Sequence, residues 1–397
     1  MKPLLLESFT ATSCIGLGVA ATLESLRARR SGLKRCEFET VDLETHVGEV
    51  PGVDAVRLPA ELSLFDCRNN RLAELALRQD GFFEAVERAA RRAGRRRIGV
   101  FMGTSTAGIL QTELAYRNRD LVTGALPANF EYRTTHNSFS IADYMRRRLR
   151  LEGPAMVVSC ACASSAKVFG SARRMIEAGI IDAAVVGGVD SLCLTTLYGF
   201  HSLQLSSASP CRPFDVARDG ISIGEAAAFA LLVPPQGTLG GDDILLLGVG
   251  ESSDAYHMSA PHPEGHGARR AMQAALLAAG LDAEAIDYIN LHGTGTPSND
   301  RSESQAVTSV FGAATPGSST KGATGHTLGA AGALEAVICG ITLRSGFMPG
   351  GVNTTRIDPM LTANYLKENR PSPALHVLSN SFGFGGTNCS LIFGRGE

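Results

Sequence analysis

The segment Val158–Lys167 reads Val-Ser-Cys-Ala-Cys-Ala-Ser-Ser-Ala-Lys and decides the fold class. It joins an apolar strand pattern at Ala155–Val158 to a run of small residues that opens a helix. The N–H groups in the first turn of a helix have no intrahelical partner and carry the positive end of the helix dipole. A cysteine thiolate is stabilised at such a junction, so we expect a nucleophilic thiol with a lowered pKa.

Strand patterns alternate with helix patterns along the chain. Apolar runs predict buried strands at 97–102, 155–158, 183–186, 226–233, 244–249, 288–291, 376–378 and 389–393. Segments with many small residues predict helices at 168–178, 268–279, 302–310 and 330–343. Buried strands that alternate with helices are typical of a layered α/β protein.

The clearest linker is the Pro- and Gly-rich segment 234–241, and similar helix and strand patterns lie on each side of it. We therefore predict two similar halves, residues 1–238 and 239–397. The first half carries the cysteine segment. The second carries two histidines in Gly-rich surroundings, His292 and His326. A Cys-His-His site would have to form where the halves meet.

Composition narrows the class of protein. With 397 residues and 44% hydrophobic content, the chain can bury a large core. The net charge of -2 gives no reason to expect a nucleic-acid or membrane partner. The nine cysteines are odd in number and lack CxxC spacing, which favours reduced thiols in the cytoplasm. No signal peptide is evident, and we find no apolar run of the roughly 18 residues that span a bilayer, so we expect a soluble protein.

Several motifs follow one another in a specific order. They are Cys160–Ser165 around Cys162, Arg212–Asp215, Arg218–Gly220, Gly224–Glu225, His292–Pro297 with Asp300, Lys321, Gly325–Gly332 with Glu335, and Asn380–Asn388. In this order the chain resembles the beta-ketoacyl-acyl carrier protein synthases of the I/II type, from the first strand to the last residue. The resemblance implies a duplicated, thiolase-like αβαβα fold. It also implies an acyltransferase that condenses an acyl thioester with malonyl-acyl carrier protein through an acyl-enzyme.

The resemblance also implies residue roles. Cys162 would be the nucleophile, His292 and His326 would stabilise the malonyl enolate, and Lys321 would be a charged support. The backbone N–H groups of Cys162 and Phe384 would form the oxyanion hole. Substrate contacts are expected at Thr294, Thr296, Phe382 and Phe384, and at Thr106, which aligns with the far end of the acyl pocket.

Other implied features concern partners and ions. Arg68 and Arg71 align with the basic pair that docks acidic acyl carrier proteins in this family, and Arg117 and Arg119 are weaker candidates. A structural sodium or potassium ion is implied at Asn290, Glu335, Ser379 and Asn380, although a hydrogen-bonded buried Glu without an ion explains the pattern equally well. No other cofactor is expected, because the substrate carries its own phosphopantetheine. The assembly would be a homodimer or a heterodimer with a related ketosynthase-like subunit.

Alternatives remain for individual residues. Cys160 lies two positions from Cys162 and stands where the family more often has serine. His257, His262 and His266 have a spacing that a metal site could use, but the surrounding Pro and Gly residues favour an ordinary loop. Gly187–Ser191 lacks the acidic residue often found one position earlier in the family.

Alternatives also remain for the whole protein. Primary fatty-acid synthesis and a dedicated polyketide or polyene pathway both fit the motifs. A non-enzymatic chain-length partner would normally lack the nucleophile. A degradative thiolase would need a Cys-x-Gly loop near the C-terminus, whereas Cys389 is followed by Ser390 and Leu391.

Overall fold

The computed structural model describes residues 1–396 and contains a mixed sheet of twelve strands. Five principal strands belong to the first half: Leu4–Ser13, Ile98–Gly103, Ala155–Val158, Ala183–Asp190 and Ala226–Val233. Five belong to the second: Ile244–Ser253, Tyr288–Asn290, Pro316–Ser318, His376–Gly383 and Thr387–Arg395. The short strands Gly16–Leu17 and Asn364–Tyr365 extend the sheet.

The two halves share one topology. When the five principal strands are counted in chain order, both halves have the sheet order third, second, fourth, fifth, first. In each half the third, second and fourth strands are parallel, and the remaining pairings are antiparallel. The first strands of the two halves meet where Leu4 and Leu5 pair with Leu246 and Leu245. The carboxyl ends of the parallel strands, where α/β proteins place their sites, carry the cysteine and histidine loops.

Two equivalent helices form the central layer. Ser164–Glu177 and Ala331–Ser345 share one hydrophobic core with strands of both halves. They pack closely, since a Cβ added at Gly332 would lie 2.7 Å from the backbone nitrogen of Ala166. Residues 331–343 are buried on all sides of their helix, as expected for a helix enclosed between the two halves of the sheet.

Other helices cover the outer faces. The first-half helices are Val19–Arg27, Arg68–Leu77, Phe82–Ala93, Ile109–Arg117, Ser140–Arg148 and Leu194–Ser202, and the second-half helices are His266–Ala279, Pro297–Phe311 and the short Lys321–Thr324. Separate cores join outer helices to the first-half strands and to the second-half strands. The predicted αβαβα layering is confirmed.

The central helix corrects one expectation. The segment Leu328–Ser345 is long and apolar enough to span a membrane, with a mean hydropathy of 1.3. The prediction that no such run exists was therefore wrong. The segment is 89% buried inside the protein. Its apolar character follows from its place between the two halves of the sheet, where it has no solvent-facing side.

Candidate active site

The nucleophile segment makes a strained turn between strand and helix. Ala161 adopts a φ of 52°, a left-handed conformation that non-glycine residues rarely hold. The Cys160 N–H donates to Ser164 Oγ at 2.9 Å, which ties the end of the strand to the first residue of the helix. The turn points Cys162, and not Cys160, into the cleft between the halves. Backbone strain at this position is consistent with a functional site that the surrounding structure stabilises.

The cleft has a cavity volume of about 60 Å³ and combines apolar walls with a small polar floor. Its polar floor includes Cys162, His292, His326, Thr294 and Thr296. Its apolar wall comes mainly from Phe200, Leu205, Ile221, Pro261, Phe382 and Phe384. An apolar cleft with a few convergent polar groups is the usual form of a small-molecule site. The expected substrate residues Thr294, Thr296, Phe382 and Phe384 therefore lie together, and the two threonine hydroxyls are 2.9 Å apart.

Cys162 and His326 are in direct contact. His326 Nε2 lies 3.0 Å from Cys162 Sγ, and both side chains are buried. Burial raises the pKa of the Cys162 thiol to about 12, although the positive charge of Lys321 opposes the shift. The expected lowering of this pKa was wrong, because desolvation outweighs the charges near the helix terminus. Burial and Lys321 also hold the pKa of His326 well below its usual range. The resting pair is therefore a neutral thiol beside a neutral imidazole.

His292 is oriented by Lys321. Lys321 Nζ lies 3.5 Å from His292 Nδ1, and an ammonium group can only donate. His292 Nδ1 must then accept, which puts the imidazole proton on Nε2. Burial and the charge of Lys321 hold the pKa of His292 well below its usual range. A neutral His292 with a proton on Nε2 is a hydrogen-bond donor suited to an oxygen that gains negative charge.

Two buried glutamates support these groups. Glu335 Oε1 pairs with Lys321 Nζ, so the ammonium group is fixed behind His292. Glu303 accepts the backbone N–H groups of His292 and Gly293 at 2.8 and 2.7 Å. Burial raises the pKa of each carboxyl to about 7. The sequence analysis did not identify Glu303 as a site residue, although its position one helical turn after Asp300 indicates that both carboxylates lie on the same face of the helix.

The oxyanion position depends on a close approach of two backbones. A Cβ added at Gly383 would lie 3.2 Å from Cys162 N, 3.1 Å from Ala163 N and 3.0 Å from Cys160 O. The next residue, Phe384, directs its backbone N–H at the thiol of Cys162 and favours its charged form. The glycine-rich loop therefore brings the Gly383 backbone against Cys162 N and the Phe384 N–H to the thiol. The oxyanion hole formed by the N–H groups of Cys162 and Phe384 stays a prediction.

Thr106 is buried and is not among the residues that line the cleft. Its hydroxyl donates to Asp190 Oδ1 at 2.8 Å. Asp190 also accepts the Thr104 hydroxyl and the N–H of Gly329, at 2.6 Å each. A locally bonded hydroxyl is compatible with a place at the far end of the acyl pocket, and that role of Thr106 stays a prediction. Asp190 ends a strand and joins this turn to the loop after His326, a role that the sequence did not reveal.

Arg68 is also corrected. Its side chain is only 5% exposed and forms a bidentate pair with the buried carboxylate of Glu225. A carrier protein could not reach a guanidinium group that is enclosed and already paired. Arg71 is 22% exposed but bonds twice to Asp66, at 2.6 Å each. Arg117 donates to Thr40 at 2.8 Å, and its docking role, like that of Arg71 and Arg119, stays a prediction.

The expected cation position contains buried polar atoms that lack protein partners. Within residues 1–396, these are the side-chain amide of Asn290, Glu335 Oε2 and Ser379 Oγ. Asn380 is different, because Ser390 donates to its oxygen at 2.8 Å and its nitrogen donates to Glu303 at 3.2 Å. Three of the four predicted residues thus offer the oxygen atoms that a hard monovalent cation prefers, and they fit such an ion.

The remaining histidine cluster lies on the rim of the cleft. One donor atom each from His262, Glu264 and His266 lies within 4.8 Å of the others. Protein contacts already use these atoms: His262 Nδ1 accepts the Glu264 N–H at 3.2 Å, and His266 Nε2 is 2.8 Å from the Glu264 carboxylate. The loop interpretation of this segment therefore explains its geometry. His257, the third histidine of the expected loop, is exposed nearby and contacts Ser259.

Family models match both halves of the chain. The beta-ketoacyl synthase N-terminal domain matches residues 6–236, and the beta-ketoacyl synthase C-terminal domain matches residues 245–355.

Individual relatives cover most or all of the chain. Nodulation protein E of Rhizobium meliloti (strain 1021) is 36% identical over 75% of both chains. The 3-oxoacyl-[acyl-carrier-protein] synthase 2 of Staphylococcus aureus (strain COL) is 29% identical over 100% of this chain and 99% of its own. A solved ketosynthase in complex with its chain length factor, from Xenorhabdus doucetiae, superimposes with a TM-score of 0.88. It is 38% identical and covers 99% of this chain and 98% of that chain.

Proposed function

The chain belongs to the beta-ketoacyl synthase family and is a condensing enzyme, and we propose that it extends an acyl chain carried by an acyl carrier protein. The observation that carries this proposal is the contact of 3.0 Å between Cys162 Sγ and His326 Nε2 at the floor of an apolar cleft. The second histidine, His292, completes the donor set. Malonyl-acyl carrier protein would supply the two-carbon unit.

The first half of the proposed reaction is acyl transfer. His326 accepts the thiol proton as Cys162 Sγ attacks the carbonyl carbon of the acyl thioester. The negative charge on the thioester oxygen is stabilised by the N–H groups of Cys162 and Phe384. The carrier thiolate then leaves and takes the proton from His326. The products are an acyl-enzyme and a free carrier thiol, so no proton is gained or lost.

The second half is decarboxylative condensation. The thioester oxygen of the malonyl unit accepts a hydrogen bond from His292 and a second one from His326 once the ring proton of His326 has moved from Nδ1 to Nε2. Both bonds stabilise the enolate formed as carbon dioxide leaves. The enolate carbon attacks the acyl-enzyme carbonyl, and the expelled Cys162 thiolate takes up a proton from water, because the overall condensation consumes one proton. Lys321 holds His292 in the donor tautomer throughout. No residue changes oxidation state, so no redox cofactor is required.

Two other functions fit less well. A chain-length partner would not need the Cys162–His326 contact. A degradative thiolase would need a second reactive cysteine in the cleft, whereas Cys389 is fully buried within a strand and outside the cleft. Single-turnover incubation with malonyl- and acyl-carrier protein separates these functions: a condensing enzyme releases carbon dioxide and 3-oxoacyl product in equal amounts. Carbon dioxide without 3-oxoacyl product would contradict the proposal.

The carrier protein is proposed to dock at the rim near Arg301. This residue is exposed in the helix Pro297–Phe311, whose residues Ser298 and Asn299 line the cleft. Within residues 1–396 it forms no ion pair, and Asp358, the carboxylate on which its charge acts, is already paired with Arg218 at 2.7 Å, so Arg301 is available to an acidic protein. Arg301→Glu should raise the KM for acyl-carrier protein and spare a small acyl thioester. Arg96→Glu, which reverses an exposed charge at the opposite end of strand Ile98–Gly103, is the matched control.

A related subunit is proposed to pair with the free edge of the sheet. Strand Ala155–Val158 is the last in the sheet order, and Met156 on it is 42% exposed. An unpaired apolar edge strand is a ready partner for an equivalent strand of another chain. The full-length similarity to the Xenorhabdus complex favours a chain-length-factor-like subunit over a second copy. Met156→Lys should reduce co-purification of the protein with such a subunit. If the wild-type protein instead formed a homodimer that did not bind a chain-length-factor-like subunit, the proposed heterodimer would be contradicted.

The cytoplasm is the proposed location. All nine cysteines are free thiols, which supports a reducing compartment.

A further inference from the structure

We infer that Arg68 is a positioning residue for His326, because its ion pair with Glu225 fixes the backbone that holds the imidazole against Cys162. The inference rests on the proposed role of His326. It assigns Arg68 to the reaction itself and not to carrier docking.

The ion pair is rigid. Arg68 Nε and Nη2 donate to the two carboxylate oxygens of Glu225 at 2.9 and 2.6 Å, in the bidentate geometry that only arginine provides. Glu225 is fully buried and also accepts the N–H groups of Val50 and Leu192, at 2.9 and 3.0 Å. Four donors from three separate segments therefore hold one carboxylate, and Glu225 has little freedom to move.

Glu225 is connected to His326 through its neighbour Gly224. The Gly224 N–H donates to the His326 carbonyl at 3.0 Å, and the His326 N–H donates to the Ser222 carbonyl at 2.7 Å. The two backbones are in close contact, since a Cβ on Gly224 would lie 2.2 Å from the Thr324 carbonyl oxygen. Any displacement of Glu225 would therefore be transmitted directly to the backbone of His326.

The imidazole depends on this backbone support. A catalytic histidine is usually oriented by a hydrogen bond to its second ring nitrogen. Here His326 Nδ1 is buried and has no protein partner within residues 1–396, while Nε2 faces the thiol. The ring orientation is then set by its packing and by the segment paired to it, residues 222–224. This arrangement explains why a buried arginine pair adjoins the active site.

The surroundings of Arg68 do not form a docking surface. Besides Glu225, its guanidinium contacts Asp54 at 2.8 Å and Glu49 at 3.3 Å, and it lies 5.1 Å from the ring centre of Phe38. The three acidic groups outnumber the two cations of this cluster, Arg68 and Lys34, which is paired with Glu49 at 2.8 Å, so the site would not attract an acidic carrier protein.

The experiment is a double-mutant cycle with His326→Ala. Removing Arg68 alone would leave the Glu225 carboxylate unpaired and could unfold the chain, so the main variant is Arg68→Met with Glu225→Gln, which removes both charges. Arg68→Lys keeps the positive charge but loses the bidentate geometry of the guanidinium group. Arg78→Met, in the same helix region and paired with Glu74, is the matched control. The readouts are the rate of Cys162 alkylation by iodoacetamide at neutral pH, kcat and KM with a small acyl thioester, and the unfolding midpoint.

If Arg68 positions His326, the double variant Arg68→Met, Glu225→Gln should lower kcat about ten- to a hundred-fold with little change in KM. The loss should be intermediate in Arg68→Lys and absent in Arg78→Met. In the His326→Ala background the paired change should add little, since the residue that it positions is gone. The inference would be overturned if the double change lowered kcat by its full factor again in the His326→Ala background. It would also be overturned if kcat were unchanged in a folded Arg68→Met, Glu225→Gln variant. A loss seen only with carrier-bound substrate would restore the docking role. If His326→Ala itself had no effect, the proposed function of His326 would fail instead.

Discussion

Gly383→Ala tests whether the close approach of two backbones forms the oxyanion site. The backbone φ of Gly383 is -108°, which alanine adopts without strain, so the substitution probes space alone. The new methyl would lie 3.0 to 3.2 Å from three backbone atoms of residues 160–163, whereas ordinary contacts begin near 3.4 Å. The difference is 0.2 to 0.4 Å, and none of the three atoms belongs to a flexible side chain. The nucleophile turn or the Phe384 loop must therefore move.

The cost of this shift follows from the role of the donors. Complete loss of one oxyanion donor lowers a rate by about a hundred- to a thousand-fold. A displacement of a few tenths of an ångström should cost less, about ten- to a hundred-fold, or roughly 1.4 to 2.7 kcal/mol in activation free energy. The assay is the single-turnover rate of Cys162 acylation by a small acyl thioester. Gly240→Ala is the control, because its Cβ meets only the Asp243 carboxylate at 3.8 Å. A wild-type acylation rate in folded Gly383→Ala would refute the assignment.

Three further predictions concern the proton-bearing groups. His292→Ala should slow malonyl decarboxylation about a hundred- to a thousand-fold and affect acyl transfer much less. Release of isotope-labelled carbon dioxide measures the first rate, and intact-mass acylation measures the second. Equal losses in both rates would refute the division of roles. Lys321→Met should also impair decarboxylation, because His292 loses the donor that sets its tautomer, and ¹⁵N NMR of the ring nitrogens should report a mixture of tautomers. Because burial raises the thiol pKa from 9.0 to about 12, the thiolate fraction grows about tenfold per pH unit, and Cys162 alkylation should accelerate from pH 7 to pH 10. A plateau near pH 6 would indicate a thiolate–imidazolium pair instead.

The sequence predicted the elements that are buried on both faces. Ala226–Val233 has its predicted bounds because a strand enclosed by helices is a continuous apolar run. Ala155–Val158 also has its predicted bounds, although this strand lies at the sheet edge and is only partly buried. The first strand, Leu4–Ser13, was not among the predicted strands, since Glu7, Ser8, Thr10 and Thr12 interrupt its apolar pattern. Three of the four predicted helices begin earlier than predicted because their first turns are polar, whereas Ala331–Ser345 begins within one residue of its predicted start. Pro297–Phe311, for example, begins with Pro after Thr296, whose side chain accepts the Asn299 N–H.

The site was predictable where motif and chemistry coincide. The loops of Cys162, His292, His326 and Lys321 were identified from the sequence, and the structure brings them together. The errors concern environment. Burial reverses the expected shift of the Cys162 pKa and encloses Arg68. Burial and pairing depend on contacts between distant segments, which a single sequence does not contain.

The most direct test of the account is the intact mass of the enzyme after incubation with acyl-carrier protein. Wild-type protein and Cys160→Ala should gain one acyl group, since Cys160 lies outside the cleft and Cys162 contacts His326 at 3.0 Å. Cys162→Ala should gain none. An acyl adduct on folded Cys162→Ala would contradict the assignment of the nucleophile and the proposed reaction that begins from it.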